Sequence, residues 1–199
     1  DMGNSEVGHN AIGAGRVFAQ GARLVNDAIE TGRLWEGKTW KKLIQNVLSN
    51  KGALHFIGLF SDGNVHSHID HLKAMLNRAK AEGIQKARIH ILLDGRDVGE
   101  TSALEYVRPF EMFLSELNGS DSDYRIASGG GRMVVTMERY EADWEIVQRG
   151  WEAHVHGKGD FISDSAEAAI TAIREQSPGI TDQFLPSFVI SDNGRPVGP

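Results

Sequence analysis

The chain has 199 residues, 40% hydrophobic and 24% charged, which suits one or two globular domains. Its formal net charge of −6 argues against nucleic acid as the main partner, because phosphate backbones are met by basic surfaces, but a local arginine cluster could still hold a small anion. The absence of cysteine excludes disulfides and thiolate metal sites, no apolar run reaches the ~20 residues of a membrane span, and no signal-peptide pattern is visible.

In chain order, Asp1–Arg16 carries four glycines and is too glycine-rich to build a packed core. Ser5 follows the turn pair Gly3-Asn4 and stands where a turn can hand over to a helix. A hydroxyl there either caps the helix or meets a phosphate at free backbone N–H groups. Val17, Leu24, Val25, Ala28 and Ile29 share a helical face, and Gly32 ends that helix. A second helix is expected over 38–49, burying Trp40, Leu43, Ile44, Val47 and Leu48. Leu54–Phe60 is a short apolar run that reads as a parallel strand buried on both faces. A helix over 69–82, closed by Gly83, leads to a strand over 86–93. A helix over 102–117 follows despite Pro109, then a strand over 124–128 that empties into Gly129-Gly130-Gly131-Arg132. A long helix over 138–155 would turn Trp144, Val147 and Trp151 to the core, and Ser163-Asp164 would cap another through Ile173. Phe188–Ile190 is a last strand before Asn193-Gly194, a hairpin signal. Strand, loop, helix, strand is βαβ grammar, so the expected fold is α/β with a mainly parallel sheet flanked by helices.

Polar loops follow the strands at 61–68, 94–99 and 129–132, and in a parallel sheet such loops emerge together on one edge. His66, His68 and His71, beside Asp62 and Asp70, either form a zinc or manganese site or leave His68 and His71 in solvent, with one histidine meeting a ligand. Arg96 offers a planar fork for phosphate or carboxylate, and Asp97 can accept from a hydroxyl. The triple glycine either cradles a phosphate or is a plain turn.

Asn4-Ser5-Glu6-Val7-Gly8-His9 with Ile12-Gly13-Ala14-Gly15-Arg16 resembles the nucleophilic-serine segment of the cofactor-independent phosphoglycerate mutases, of the alkaline phosphatase superfamily. Ser61–His68 is similar to that family's substrate-binding histidine loop, with Asn64 where glycine is usual; a left-handed backbone there would accept Asn. Asp94-Gly95-Arg96-Asp97 and Ser128–Tyr140 resemble its other substrate segments; Arg132 and Arg139 stand one residue further apart than in bacterial members, and Glu138 replaces a commoner Asp. Arg16–Ala22 looks like the plant and trypanosomatid branch.

The resemblance implies interconversion of 3- and 2-phosphoglycerate through a phosphoserine on Ser5, which also ligates one of two divalent ions, usually manganese, with magnesium or cobalt as alternatives, and with no need for 2,3-bisphosphoglycerate. His66, Arg96, Asp97, Arg132 and Arg139 would bind the substrate. Residues 1–19 would end a phosphatase-like segment and 20–199 would form a C-terminally incomplete transferase domain. The implied setting is cytoplasmic glycolysis and gluconeogenesis, with a monomer when full length, a small-molecule substrate, and neither nucleic acid nor membrane as partner. The chain opens on Asp inside a motif and carries neither the other metal ligands nor a later arginine pair and lysine, so it reads as a piece of something longer, inactive alone. The alternatives are a metal-dependent phosphomonoesterase and a non-catalytic phosphoglycerate-binding domain.

Overall fold

The computed structural model describes residues 5–17, 21–138 and 141–198, with the side chains of Ser5 and Glu6 outside that description. Its helices are α1 (Ser5–Ala14), α2 (Gly21–Glu30), α3 (Arg33–Glu36), α4 (Lys38–Asn50), α5 (Ile69–Ala81), α6 (Ala103–Leu117), α7 (Trp144–His156) and α8 (Ala166–Gln176). The strands are β1 (Leu54–Phe60), β2 (Lys86–Leu93), β3 (Asp123–Gly131), β4 (Phe161–Ser163), β5 (Phe188–Asp192) and β6 (Arg195–Pro196). They form one sheet in the order β1-β2-β3-β5-β4, with β6 beside β5. β1, β2 and β3 run parallel, as do β4 and β5, while β5 is antiparallel to β3. The α/β expectation holds and β1 and β2 fall on their apolar runs, but β1 is not buried on both faces: it is the edge strand, with His55 and Gly58 exposed and Ile57 54% exposed.

The two sheet faces differ chemically. Leu54, Phe60, Ala87, Ile89, Ile91, Leu93, Tyr124 and Ile126 pack with Trp40 and Ile44 of α4, Leu76 of α5, Phe110 of α6 and Ile170 of α8 in one core. On the opposite face, Leu59 and Leu92 meet only a small cluster around Val135, where the chain after β3 and α7 cross the sheet. No described helix is long and apolar enough to cross a membrane.

Several elements depart from expectation. Val17 is not helical, residues 18–20 lie outside the described part, and the helix expected from Val17 is described as α2 from Gly21, with α1 before it as a separate helix. α7 starts at Trp144 because Asp143 caps it, accepting from the Glu145 N–H at 2.9 Å. Its helical spacing is real, but Trp144 and Trp151 are 63% and 57% exposed, and Gly150, Ala153 and His154 face inward. Likewise Leu43 and Leu48 stay exposed on α4. Ser165, not Ser163, caps α8, since Ser163 ends the three-residue strand β4. Asn193 and Gly194 both have positive φ in the turn joining β5 to β6, as the hairpin signal requires.

The triple glycine is neither turn nor phosphate cradle: Gly129, Gly130 and Gly131 are the end of β3, paired with Ile91, Leu92 and Leu93. Close packing explains the residue type. A Cβ on Gly129 would lie 2.5 Å from Phe188 Cζ, and one on Gly131 2.4 Å from the Gln183 carbonyl. Gly129→Ala is therefore expected to destabilise the fold by ~1–3 kcal/mol through overpacking, read as a lower urea midpoint at unchanged m-value.

Candidate functional site

Parallel pairing sends the chain out of β1, β2 and β3 at one edge, and side chains there lock the three exits together. Ser61, after β1, donates its hydroxyl to Asp94 Oδ2 at 2.5 Å. Asp94, after β2, turns its own loop by accepting the Arg96 and Asp97 N–H groups at Oδ1, at 3.2 and 3.0 Å. Arg132, after β3, places Nη1 2.8 Å from Asp94 Oδ1 and 2.9 Å from Asp97 Oδ2. Asp94 is 3% and Arg132 6% exposed. Burial alone would raise the Asp94 pKa, but the hydroxyl of Ser61, the Asp97 N–H, Arg132 and the Arg96 N–H together hold it below the usual carboxylate value.

The loops also touch through backbone. A Cβ on Gly63 would lie 2.9 Å from Asp97 Cβ, so the first loop packs directly on the second. Asn64 has φ 58°, the left-handed conformation anticipated for it. Beneath the second loop, buried Asp182 binds Arg174 Nη2 at 2.5 Å and accepts the Ala103 N–H at 2.7 Å. Burial, ahead of all its hydrogen bonds, raises the Asp182 pKa.

The anticipated site residues fall out as follows. His66 and Arg96 are exposed, Asp97 is half-buried and Arg132 is buried, all on the loops of one sheet edge. His66 lines a cavity of about 250 Å³ with Ile57, Leu59, Ser67, His68 and His71. Both Arg132 contacts use Nη1, one corner of a fork with five donors. Ser5 is the first residue of α1, with its side chain outside the described part; Arg139 lies outside the described residues altogether. Among the described residues, no three or more His, Asp or Glu side chains are arranged to hold a metal ion. His68 and His71 do not simply face solvent: His68 Nδ1 caps α5 by accepting the Asp70 N–H at 3.2 Å, and His71 Nε2 lies 2.5 Å from Asn26 Oδ1 on α2.

Sequence reasoning missed Ser61 and Asp94 as the anchors, although both are polar residues at the ends of apolar strands. It also missed His90 and His154. Burial, first of all, holds His90 at about 3 and His154 at about 4, well below the ordinary 6.5, so both are neutral at physiological pH.

Comparison with known families matches residues 25–199 to the BPG-independent PGAM N-terminus. A protein of Leptospira interrogans serogroup Icterohaemorrhagiae serovar copenhageni, described as a probable 2,3-bisphosphoglycerate-independent phosphoglycerate mutase, is 60% identical over 198 residues, covering 100% of this chain and 36% of that protein. The mutase of Prunus dulcis is 52% identical over 200 residues, with 100% of this chain and 40% of that protein covered. Among solved structures, phosphoglycerate mutase of Leishmania mexicana at low cobalt concentration superposes with a TM-score of 0.93 at 46% identity, over 100% of this chain and 36% of that one. The chain thus spans little more than a third of the relatives it matches.

Asp94→Asn leaves buried Arg132 with Asp97 as its remaining anionic partner and is expected to cost ~3 kcal/mol in urea unfolding, more than Asp97→Asn on the less buried acid. The two histidines contribute stability that is complete above the unfolded value of 6.5 and is lost as pH falls towards their folded values. The titratable groups facing His90 are His154, His55 and Arg88, none of them anionic, and the Ser128 hydroxyl completes its surroundings. Thermal midpoints are expected to be lower at pH 5 than at pH 7, and the double variant His90→Gln/His154→Gln to lose most of that difference.

Proposed function

Because this chain belongs to the 2,3-bisphosphoglycerate-independent phosphoglycerate mutase family, we propose that it carries the serine and much of the substrate site of an enzyme interconverting 3- and 2-phosphoglycerate. The observation supporting this most directly is the meeting of the His66 loop, the Asp94–Asp97 loop and Arg132 at one edge. Exposed Arg96 supplies a fork for the substrate carboxylate or phosphate, Asp97 accepts from a glycerate hydroxyl, and His66 closes the other side. Arg132, already tied to Asp94 and Asp97, adds positive charge at a fixed point, and Arg139 is proposed as a second anion-binding arginine. Ser5 Oγ attacks the phosphorus of 3-phosphoglycerate, the bond to the 3-oxygen breaks and glycerate takes the proton. Glycerate then turns in place, its 2-oxygen attacks the phosphorus, the bond to Ser5 Oγ breaks, and Ser5 Oγ takes the proton of the 2-hydroxyl.

Two divalent ions, manganese before magnesium or cobalt, would lower the serine pKa and neutralise phosphoryl charge when bound. The described residues offer them no site, so Ser5 is the one ligand assigned to this chain and the others are assigned to segments outside it. On this reading residues 1–19 close a phosphatase-like segment and 20–199 form the transferase domain, consistent with a family match that begins at residue 25. The full-length protein would be a cytoplasmic monomer of glycolysis and gluconeogenesis that needs no 2,3-bisphosphoglycerate.

The full-length protein with manganese is expected to interconvert the two phosphoglycerates, and the 199-residue chain alone to give no turnover. His66→Ala and Arg96→Ala are expected to lower kcat/KM by about 100-fold or more, ~3 kcal/mol of lost transition-state binding. Release of free phosphate in place of isomerisation would support a phosphomonoesterase; binding of phosphoglycerate without turnover by the full-length protein would support a binding domain.

A further inference from the structure

Thr136, on the segment that follows Arg132, has φ 69°, a conformation that a β-branched residue rarely adopts. Its surroundings over-determine it. The Thr136 N–H donates to the Ile146 carbonyl of α7 at 2.9 Å, and Oγ1 lies 2.9 Å from His154 Nε2. Gly150 faces it so closely that a Cβ there would lie 2.1 Å from Thr136 Oγ1. Arg149 adds a bond from Nε to the Val134 carbonyl at 2.9 Å. Ile146, Arg149, Gly150 and His154 lie at helical spacing, so one side of α7 grips the segment along its length.

His154 is itself held from behind. Its Nδ1 lies 2.7 Å from Ser128 Oγ, which lies 2.7 Å from His90 Nδ1, while His90 Nε2 lies 2.9 Å from His55 Nδ1. Ser128 reaches this face because of a bulge in β3: Ile126 pairs with Ile89, but His90 pairs with Ser128, so Ala127 is the extra residue. If Ala127 instead paired with His90 in unbroken alternation, Ser128 would fall opposite Ile91 and point into the apolar core. Each link joins groups that can share one proton when the rings are neutral, so the chain is satisfied from His55 to Thr136. Filling a helix–sheet contact with buried polar groups is expensive unless every member is satisfied, and apolar side chains would fill it more simply. The chain ends on the strained residue of the loop that bears Arg132.

We propose that His154, fixed through Ser128 and His90, is a positioning residue that holds segment 132–138 through Thr136 and so sets Arg132 at the phosphoglycerate mouth. This rests on the substrate role given above to Arg132. Arg132 has its own tether at the other end of the segment, to Asp94 and Asp97, so the loop is pinned at both ends.

The test uses the full-length protein with His154→Ala, His154→Gln and Thr136→Val. Glutamine can place an amide N–H where Nε2 stands, so it should restore the link to Thr136. Amide exchange at Met133 and Thr136 is expected to quicken about tenfold or more in His154→Ala and Thr136→Val, with Ile89 and Ile91 of β2 unchanged and His154→Gln near wild type. KM for 3-phosphoglycerate is expected to rise about tenfold in the first two variants, kcat to change by less than about threefold, and glutamine to recover KM. Unchanged exchange at Met133 and Thr136, equal acceleration in β2, or a fall in kcat at constant KM would overturn the proposal. Thr136→Val keeps the helix–sheet contact intact and decides the matter if His154→Ala does not fold. A wild-type protein that interconverts no phosphoglycerate would remove the mutase reading, and the exchange pattern would then judge the positioning role alone.

Discussion

The edge of the sheet is organised by one buried carboxylate. Asp94 receives a hydroxyl from the loop after β1, two N–H groups from its own loop and a guanidinium from the chain after β3. A carboxylate at 3% exposure survives as an anion only because those donors replace the water it has lost. In return it converts three separate strand exits into one rigid rim. His66 and Arg96 stand exposed on that rim, free for a ligand, while Ser61, Asp94 and Arg132 hold it. Exposed groups can exchange water for substrate at small cost, whereas a charge as buried as Arg132 must already be paired.

That division explains which parts of the site could be read from residue types. Histidine and arginine in loops after apolar runs announce themselves, since loops at strand ends are where α/β sheets bind ligands. Asp94 reads only as the first residue of a turn. Its role depends on Ser61 and Arg132, 33 and 38 positions away, and such partners come together only once the strand register is known. The strands β1 and β2 were legible for the opposite reason: apolar runs between turn signals mark strands directly, though only β2 is buried from Ala87 to its end, while Ile57 on the edge strand β1 stays 54% exposed. Yet β2 hides Arg88 and His90 within its run, and periodicity treats them as interruptions when both are buried, at 3% and 4% exposure.

The misreadings share a cause. Glycine at 129–131 suggests a turn because its freedom usually matters more than its size, but here size decides, with Phe188, Ile91 and Gln183 in the space a side chain would need. Trp144 and Trp151 satisfy helical spacing, but spacing tells which residues share a face and not whether anything covers that face. Only three residues form β4, too few for a pattern, and its pairing with β5 is a tertiary fact. The Asn193-Gly194 turn and the left-handed Asn64 were legible because backbone geometry at those positions is a local property of the residue.

The sheet's two faces suggest how the rim stays fixed. One face is a continuous apolar core under α4, α5, α6 and α8, which supplies bulk stability without direction. The other, under α7, carries His90, Ser128, His154 and Thr136, whose hydrogen bonds are directional and specify one arrangement. The bulge at Ala127 is what separates the two regimes along β3: before it Tyr124 and Ile126 enter the apolar core, and after it Ser128 joins the polar chain. A strand with uninterrupted alternation would have pointed Ser128 at Ile91 and left His90 and His154 without the hydroxyl that joins them. The extra residue thus sets the register from which the loop carrying Arg132 continues, and drawing Ala127 into regular pairing with His90 would turn the end of β3, including the glycines, onto the wrong faces.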